Sequence, residues 1–560
     1  MTVKHLLQRQ AFPILLLAIS AFLIYSQSLK NEFVIWDDDS LVYQNPLTQE
    51  VTLKNIWGAF TSYDPELYVP LTIVSFQIEH AIVGFNPLLF HFDNLLLHIV
   101  AAALVLMLLE RLGLERRTAF VGALLFAIHP INTEAVAWVS ARKDLLAAVF
   151  SILSLLSYLR LREEHRSTWK FLTFMFFLLA LLSKPVAIVL PAVYLLLDWK
   201  EDGEIRRNKI IRSIPFFTLS ALFLVIGLYG KQQNIGALSL MQTQLLAVKS
   251  SVFSLQKFFW PTGLSSIYLQ TDPISITLMQ FWGPLIVLLI IAIVVIVLFM
   301  KKSASSRAPT IFGVGWYLLF LLPSFSNFVK DDIYYFSDRY IYLSQIGMIF
   351  LLGYGYERLL MTMRPMMKLV ISVLLLAIVG TLAWSAHAQS LLWHDSETLY
   401  HDALQKNDRS VVMHYNLAVL EHRRGNRSEA LSQYLKALAL DSHYAKALSN
   451  LGILYNEQGQ TDKALEQLHL AIEADPGFPD PHNTIGSILM DRGNIDGAIA
   501  EFRTAIAIRE TFAQAHINLG AALGRKELYE EALREYKRAF ELAPQLLDGL
   551  PEVRKALENL

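Results

Sequence analysis

The chain has 560 residues, 54% of them hydrophobic and 17% charged, with a mean hydropathy of +0.39, which is too apolar for a soluble globular average. Its zero cysteines exclude a disulfide framework, thiolate metal sites and cysteine nucleophiles, and its net charge of −1 excludes a strongly basic nucleic-acid binder. The even balance hides a division: residues 411–560 hold 16 Lys+Arg against 21 Asp+Glu, a net of −5, whereas residues 1–410 hold 32 against 28, a net of +4.

A membrane-spanning helix needs about 20 mainly apolar residues. The first candidate, 11–29, follows Lys4 and Arg9 and shows no convincing small-residue cleavage site, so it reads as a retained anchor rather than a signal peptide. Further apolar runs lie near 92–110, 118–137, 144–161, 170–183, 185–199, 213–230, 280–300, 309–324, 340–357 and 367–386, which makes eleven crossings. Segment 69–85 is also apolar but carries Glu79 and His80 mid-run, and is placed along the outer interface. With the N-terminus inside, the inner segments hold 20 Lys and Arg and the outer loops before residue 387 hold 10, the asymmetry expected of cytoplasmic loops. This predicts a cytoplasmic N-terminus and an exported C-terminal region, periplasmic in a bacterial inner membrane, which the compact loops and missing cysteines favour, or luminal in a eukaryote.

The first outer loop reads Phe33-Val34-Ile35-Trp36-Asp37-Asp38-Asp39. Three carboxylates after an apolar stretch repel one another, so one can take a proton while its neighbour orients it or binds a cation; a solvated turn or a helix cap explains them as well. Between the third and fourth spans, the stretch from His129 through Glu134 to Arg142, Lys143 and Asp144 packs ionisable residues on the same outer side, and such residues at membrane depth are functional candidates. Arg142 and Lys143 suit a lipid-linked phosphate, although snorkelling to the interface would also account for Lys143. Lys184, on a short outer hairpin, and Arg339, after Asp338, invite the same phosphate reading, with Arg339 pairing either Asp338 alone or phosphate as well. No phosphate-cradling glycine loop, zinc spacing or Ser-His-Asp pattern accompanies them.

Past residue 411 a 34-residue period emerges, the length of a tetratricopeptide helix-turn-helix unit. Leu417, Leu451, Ile485 and Leu519 share one register, and Ala430, Ala464, Ala498 and Ala532 another. Gly425, Gly459 and Gly493 open the turn between helices, where the fourth copy has Glu527, and Pro476 and Pro544 end the second and fourth units. Asn416, Asn450 and Asn518 recur at one inner-helix position, with Thr484 in the third copy. This amide row would either hydrogen-bond an acceptor peptide or tie adjacent helices together. The predicted fold is therefore all-α: a polytopic membrane bundle over 1–386, a connecting segment 387–410, four repeats in 411–546 and a capping helix over 547–560.

Trp36-Asp37-Asp38, the His129 to Asp144 block, Leu182-Ser183-Lys184-Pro185, Asp338-Arg339-Tyr340 and the repeats together resemble the transmembrane and tetratricopeptide-repeat O-mannosyltransferase family. That family belongs to the C-type integral-membrane glycosyltransferases, and the resemblance covers almost the whole chain. It implies transfer of a hexose, mannose in the characterised eukaryotic relatives, from a polyprenyl monophosphate to Ser or Thr hydroxyls of exported protein. It assigns Asp37 as the base and Asp38 as its support, with Arg142, Lys143, Lys184 and Arg339 as phosphate contacts and Trp36, Asp39, His129, Glu134 and Asp144 in supporting places. No cofactor is required and a divalent cation is not expected, although Asp37 to Asp39 could bind one. Two departures stand out: Val69 precedes Pro70-Leu71-Thr72 where family members often have arginine, and four repeats are fewer than in the animal relatives. Two other readings remain open on the residues alone: a non-catalytic membrane scaffold whose repeats bind an envelope protein, and an oligosaccharide ligase or polymerase.

Overall fold

The computed structural model describes residues 3–63, 67–230, 238–301, 304–327, 333–543, 546 and 549–558. Lys330 and Pro544 lie outside them. The chain divides into two compact units, Met1–Lys406 and Asn407–Leu560, and both are helical; among the described residues the only strand pairing is a short antiparallel one that joins Tyr268–Leu269 to Tyr334–Phe336.

Among the described residues of the first unit, seven helices are long and apolar enough to cross a membrane, or eight if one bent pair counts as a span. They account for seven of the eleven predicted crossings. The predicted 118–137 span is the bent pair, Arg116–Ile128 and Pro130–Ala137, turned by 50° because Pro130 has no N–H to continue the ladder. The 170–183 run is a shorter apolar helix, Ser167–Ser183. The 185–199 run opens as a 3-10 turn, Pro185–Val189, before helix Leu190–Asp202, and Gln345–Thr362 is not among the seven. Hydropathy registers apolarity but not a break in the axis, so a reading by hydropathy counts broken and short elements as crossings.

Two helices, Met279–Lys301 and Pro365–Ser390, bury little inside the protein, and their apolar side chains face outward, as lipid-facing helices do. Inside the bundle, backbones approach closely at small residues: a Cβ on Gly347 would meet the Gly313 carbonyl at 2.5 Å, the close packing that replaces a hydrophobic driving force between helices in lipid. The segment after the last long helix folds onto the loop that follows the first. Glu32 N donates to the His394 carbonyl at 2.8 Å, Ile35 N donates to Ser396 Oγ at 2.8 Å, and Tyr400 OH donates to the Ile35 carbonyl.

The described residues of the second unit form four helix pairs, Val411–Arg423 with Arg427–Leu440, Ala445–Glu457 with Thr461–Ala474, Pro479–Asp491 with Ile495–Ile508, and Ala513–Arg525 with Tyr529–Leu542, followed by helix Pro551–Glu558. The recurrent alanines are buried at the pair contacts. Gly425, Gly459 and Gly493 have φ of 80°, 74° and 80°, and Glu527 occupies the same left-handed conformation at 64°. The amide row ties units together: Asn450 Nδ2 donates to Tyr415 OH at 3.1 Å and Asn518 Nδ2 to Asn483 Oδ1 at 2.9 Å, each 35 residues back. For these two residues the structure favours the tie over a free ligand-binding amide.

Candidate active site

The adjacent carboxylates Asp37 and Asp38, in the loop after the first long helix, have opposite environments. Asp38 is 1% exposed; its Oδ2 accepts from Val34 N at 3.0 Å, and its Oδ1 accepts from Ser140 N at 2.9 Å and Ser140 Oγ at 2.5 Å. Burial pushes its carboxyl up to about 7, against the hydrogen bonds from Ser140 and Val34. Asp37 stays open, with its side chain 43% exposed and Oδ2 3.8 Å from Lys143 Nζ. Asp38 thus pins the turn to the Val139–Ala141 segment and leaves its neighbour at the surface. Trp36 packs edge-on to Tyr334, ring centroids 6.4 Å apart, and Asp39 begins the helical turn Asp39–Tyr43.

The helix Arg142–Glu164 begins beside this turn. Successive residues on a helix point about 100° apart, and this separates Arg142 from Lys143. Arg142 is 2% exposed. It pairs with Glu79 through Nη1, donates from Nε to Asn94 Oδ1 at 3.0 Å and from Nη2 to the Phe90 carbonyl at 2.9 Å, and lies over the Phe76 and Phe90 rings. Its guanidinium is committed to protein, unlike the phosphate contact that the sequence assigns to it. Glu79 correspondingly reaches into the protein, where the sequence reading puts its helix along the outer interface.

Lys143 faces the other way, with its side chain 4% exposed and Nζ 5.0 Å from the centre of the Trp138 ring. Lys143, Lys184 and Arg339 lie close enough to act on one another's charges. Two of them have bonded carboxylate partners. Lys184 Nζ donates to Asp144 Oδ1 at 2.5 Å, and burial lowers its proton affinity against the pull of Asp144. Arg339 pairs with Glu134, which also accepts from Arg339 N at 3.0 Å and from Ser337 Oγ at 2.8 Å. Arg339 does not pair with Asp338: that carboxylate accepts from Tyr268 OH at 2.9 Å, and burial pushes it well up from the ordinary carboxylate value.

Aromatic faces separate the cations. Arg339 lies 4.8 Å from the Trp138 ring centre and 5.3 Å from that of Tyr340, and Lys184 lies 5.8 Å from that of Tyr340, geometry favourable to cations. His129 is buried away from charge. Its Nε2 bonds the Phe258 carbonyl at 2.9 Å, its Nδ1 accepts from Ile131 N at 3.2 Å, and its ring stacks on Phe258. The structure therefore assembles Asp37, Glu134, Lys143, Asp144, Lys184 and Arg339 in one place, and gives Asp38, Arg142 and His129 framework contacts.

Asn94 and Ser337 escape a reading of the sequence, and Ser140, Trp138 and Tyr340, though inside its motifs, receive no role from it. A serine or asparagine carries no signal until its partner is known. Glu79 did carry one, as an ionisable residue in an apolar helix, but nothing local named Arg142, 63 residues away, as its partner.

A family model described as dolichyl-phosphate-mannose-protein mannosyltransferase matches residues 70–229, and tetratricopeptide-repeat models match 408–476, 486–527 and 513–546. Human protein O-mannosyl-transferase TMTC4 is 25% identical over 487 residues, covering 74% of this chain and 64% of that protein. Human protein O-mannosyl-transferase TMTC1 is 26% identical over 496 residues, covering 78% and 56%. The resemblance to the transmembrane and tetratricopeptide-repeat O-mannosyltransferases is borne out. The chain spans less than two thirds of the length of these curated relatives. The mannosyltransferase match takes in Glu134, Lys143, Asp144 and Lys184, while Asp37 and Arg339 lie outside it.

Proposed function

We propose that this membrane protein transfers a hexose, mannose by the names of its relatives, from a polyprenyl monophosphate to Ser or Thr hydroxyls of exported protein. The observation that carries the reading is the half-exposed Asp37 carboxylate beside the cations Lys143, Lys184 and Arg339. Asp37 takes the proton of the acceptor hydroxyl, the acceptor oxygen bonds to the anomeric carbon, and the bond from that carbon to the phosphate oxygen breaks with inversion. The electron pair leaves on the phosphate, where the cations stabilise the developing charge. A phosphate leaving group needs no acid catalyst, so one carboxylate suffices. The site opens on the exported face, periplasmic in a bacterial inner membrane, with the N-terminus cytoplasmic, and the repeats recruit the acceptor protein.

Glycoproteomics of exported proteins tests this in cells carrying the wild-type chain, a deletion, or Asp37→Asn at matched expression. Hexose on Ser or Thr should vanish in both altered strains. An identical glycan pattern in all three sinks the reading.

A further inference from the structure

The six charged groups of the site form three pairs, and one pair is unlike the others. Arg339 and Lys184 are hydrogen-bonded to Glu134 and Asp144. Lys143 faces Asp37 at 3.8 Å, beyond hydrogen-bond reach, and its ammonium makes no hydrogen bond among the described residues. A side chain only 4% exposed that ends in an ammonium without a bonded acceptor is costly. Lys143 is therefore the cation of the three with no hydrogen-bonded carboxylate to give up, and Asp37 is the carboxylate with the loosest partner.

From this geometry we infer, on the transferase reading above, that Lys143 guards Asp37 in the resting site and passes to the donor's phosphate when the donor binds, so that the base is released in the donor-loaded enzyme alone. The charges balance across the step. Three cations meet three carboxylates, and a phosphodiester donor adds one negative charge. On transfer the leaving phosphate monoester gains a second negative charge as Asp37 takes up the acceptor's proton and loses its own, so the total within the site is unchanged. Lys184 and Arg339 keep their carboxylate partners throughout, and Lys143 is the group that exchanges one. Without the donor, the 3.8 Å charge contact holds the base against an acceptor that arrives first, which orders binding as donor before acceptor.

Equilibrium binding of a short-chain polyprenyl monophosphate to the full-length protein in nanodiscs tests the exchange without requiring turnover. If Asp37 competes with the phosphate for Lys143, Asp37→Asn should bind the probe about fivefold tighter, the scale of a partly exposed ion pair. Lys143→Met should weaken binding at least about tenfold, the loss of one charge-assisted contact, and Lys143→Arg should restore it. In the Lys143→Met background, Asp37→Asn should bring no gain. A gain of the same size in both backgrounds would mean a general field effect and overturn the exchange, as would the absence of any gain in the single variant. Failure of the wild-type protein to bind the probe would overturn the donor reading itself.

Discussion

Asp38 and Ser140, 102 residues apart in sequence, meet at a single carboxylate oxygen, which accepts both the backbone N–H and the hydroxyl of Ser140. The contact joins the loop after the first long helix to the segment that leads into Lys143, and so fixes the distance between Asp37 and its cation. Ser140→Ala keeps the backbone bond and removes the hydroxyl. The expected cost is about 1 kcal/mol in positioning, a fall in kcat of roughly fivefold with a smaller change in KM. Initial rates of hexose transfer decide it, and a wild-type kcat would show that the loop is held elsewhere.

The same burial makes stability depend on pH. Burial pushes Asp38 up to about 7, so between the ordinary carboxylate value and pH 7 the folded chain holds a proton that the unfolded chain has released. The folded-state pKa is raised, so this stability is present at low pH and is lost as pH rises through about 7. Between pH 5 and pH 8 the wild-type Tm should fall more than that of Asp38→Asn, by about 2 °C or more. Parallel melting curves for the two proteins would contradict it.

Arg142 behaves as framework. Arg142→Ala leaves Glu79 charged and buried without its partner, at a cost of about 3–5 kcal/mol, and should abolish a stable fold in detergent. Arg142→Lys should recover only part of the loss, because an ammonium cannot hold Glu79, Asn94 and the Phe90 carbonyl from one planar group. Unfolding temperature reads both variants; an unchanged Tm in Arg142→Ala would return this residue to the ligand site.

Glu527 offers the opposite case. It holds a left-handed φ of 64° where the three earlier units use glycine, and the strain of a side chain there outweighs the extra entropy glycine gives the unfolded chain. Glu527→Gly should stabilise the repeats by about 0.5–1 kcal/mol. Hydrogen exchange in Ala513–Leu542 should slow accordingly, and faster exchange would defeat the argument.

The repeats were legible because a 34-residue period places Leu417, Leu451, Ile485 and Leu519 in one register whatever surrounds them. Most long spans were legible for a similar reason, since apolarity over about 20 residues is a local property. The site was legible in residue types but not in pairings. Arg142 and Lys143 are neighbours with nearly the same chemistry, and only the turn of the helix sends one to Glu79 and the other toward Asp37. Likewise Asp338 adjoins Arg339 in sequence, yet the partner of Arg339 is Glu134, 205 residues away. A pair formed across two elements is set by packing, and packing leaves no short pattern in the chain.

The amide ties of the repeats are not evenly spaced. Asn450 and Asn518 each reach back to the preceding unit, but in the third unit Thr484 turns its hydroxyl to the Asp480 carbonyl of its own helix. Ser449, the residue such a tie would meet, is buried with its hydroxyl unpartnered among the described residues. Along this row the four copies are coupled two and two. Across the seam between the second and third units the holding falls instead to the apolar cluster of Leu468 with Ile485 and Ile488 and to the Arg492–Asp462 ion pair at 2.9 Å, so one stack of like repeats is fastened by two different chemistries.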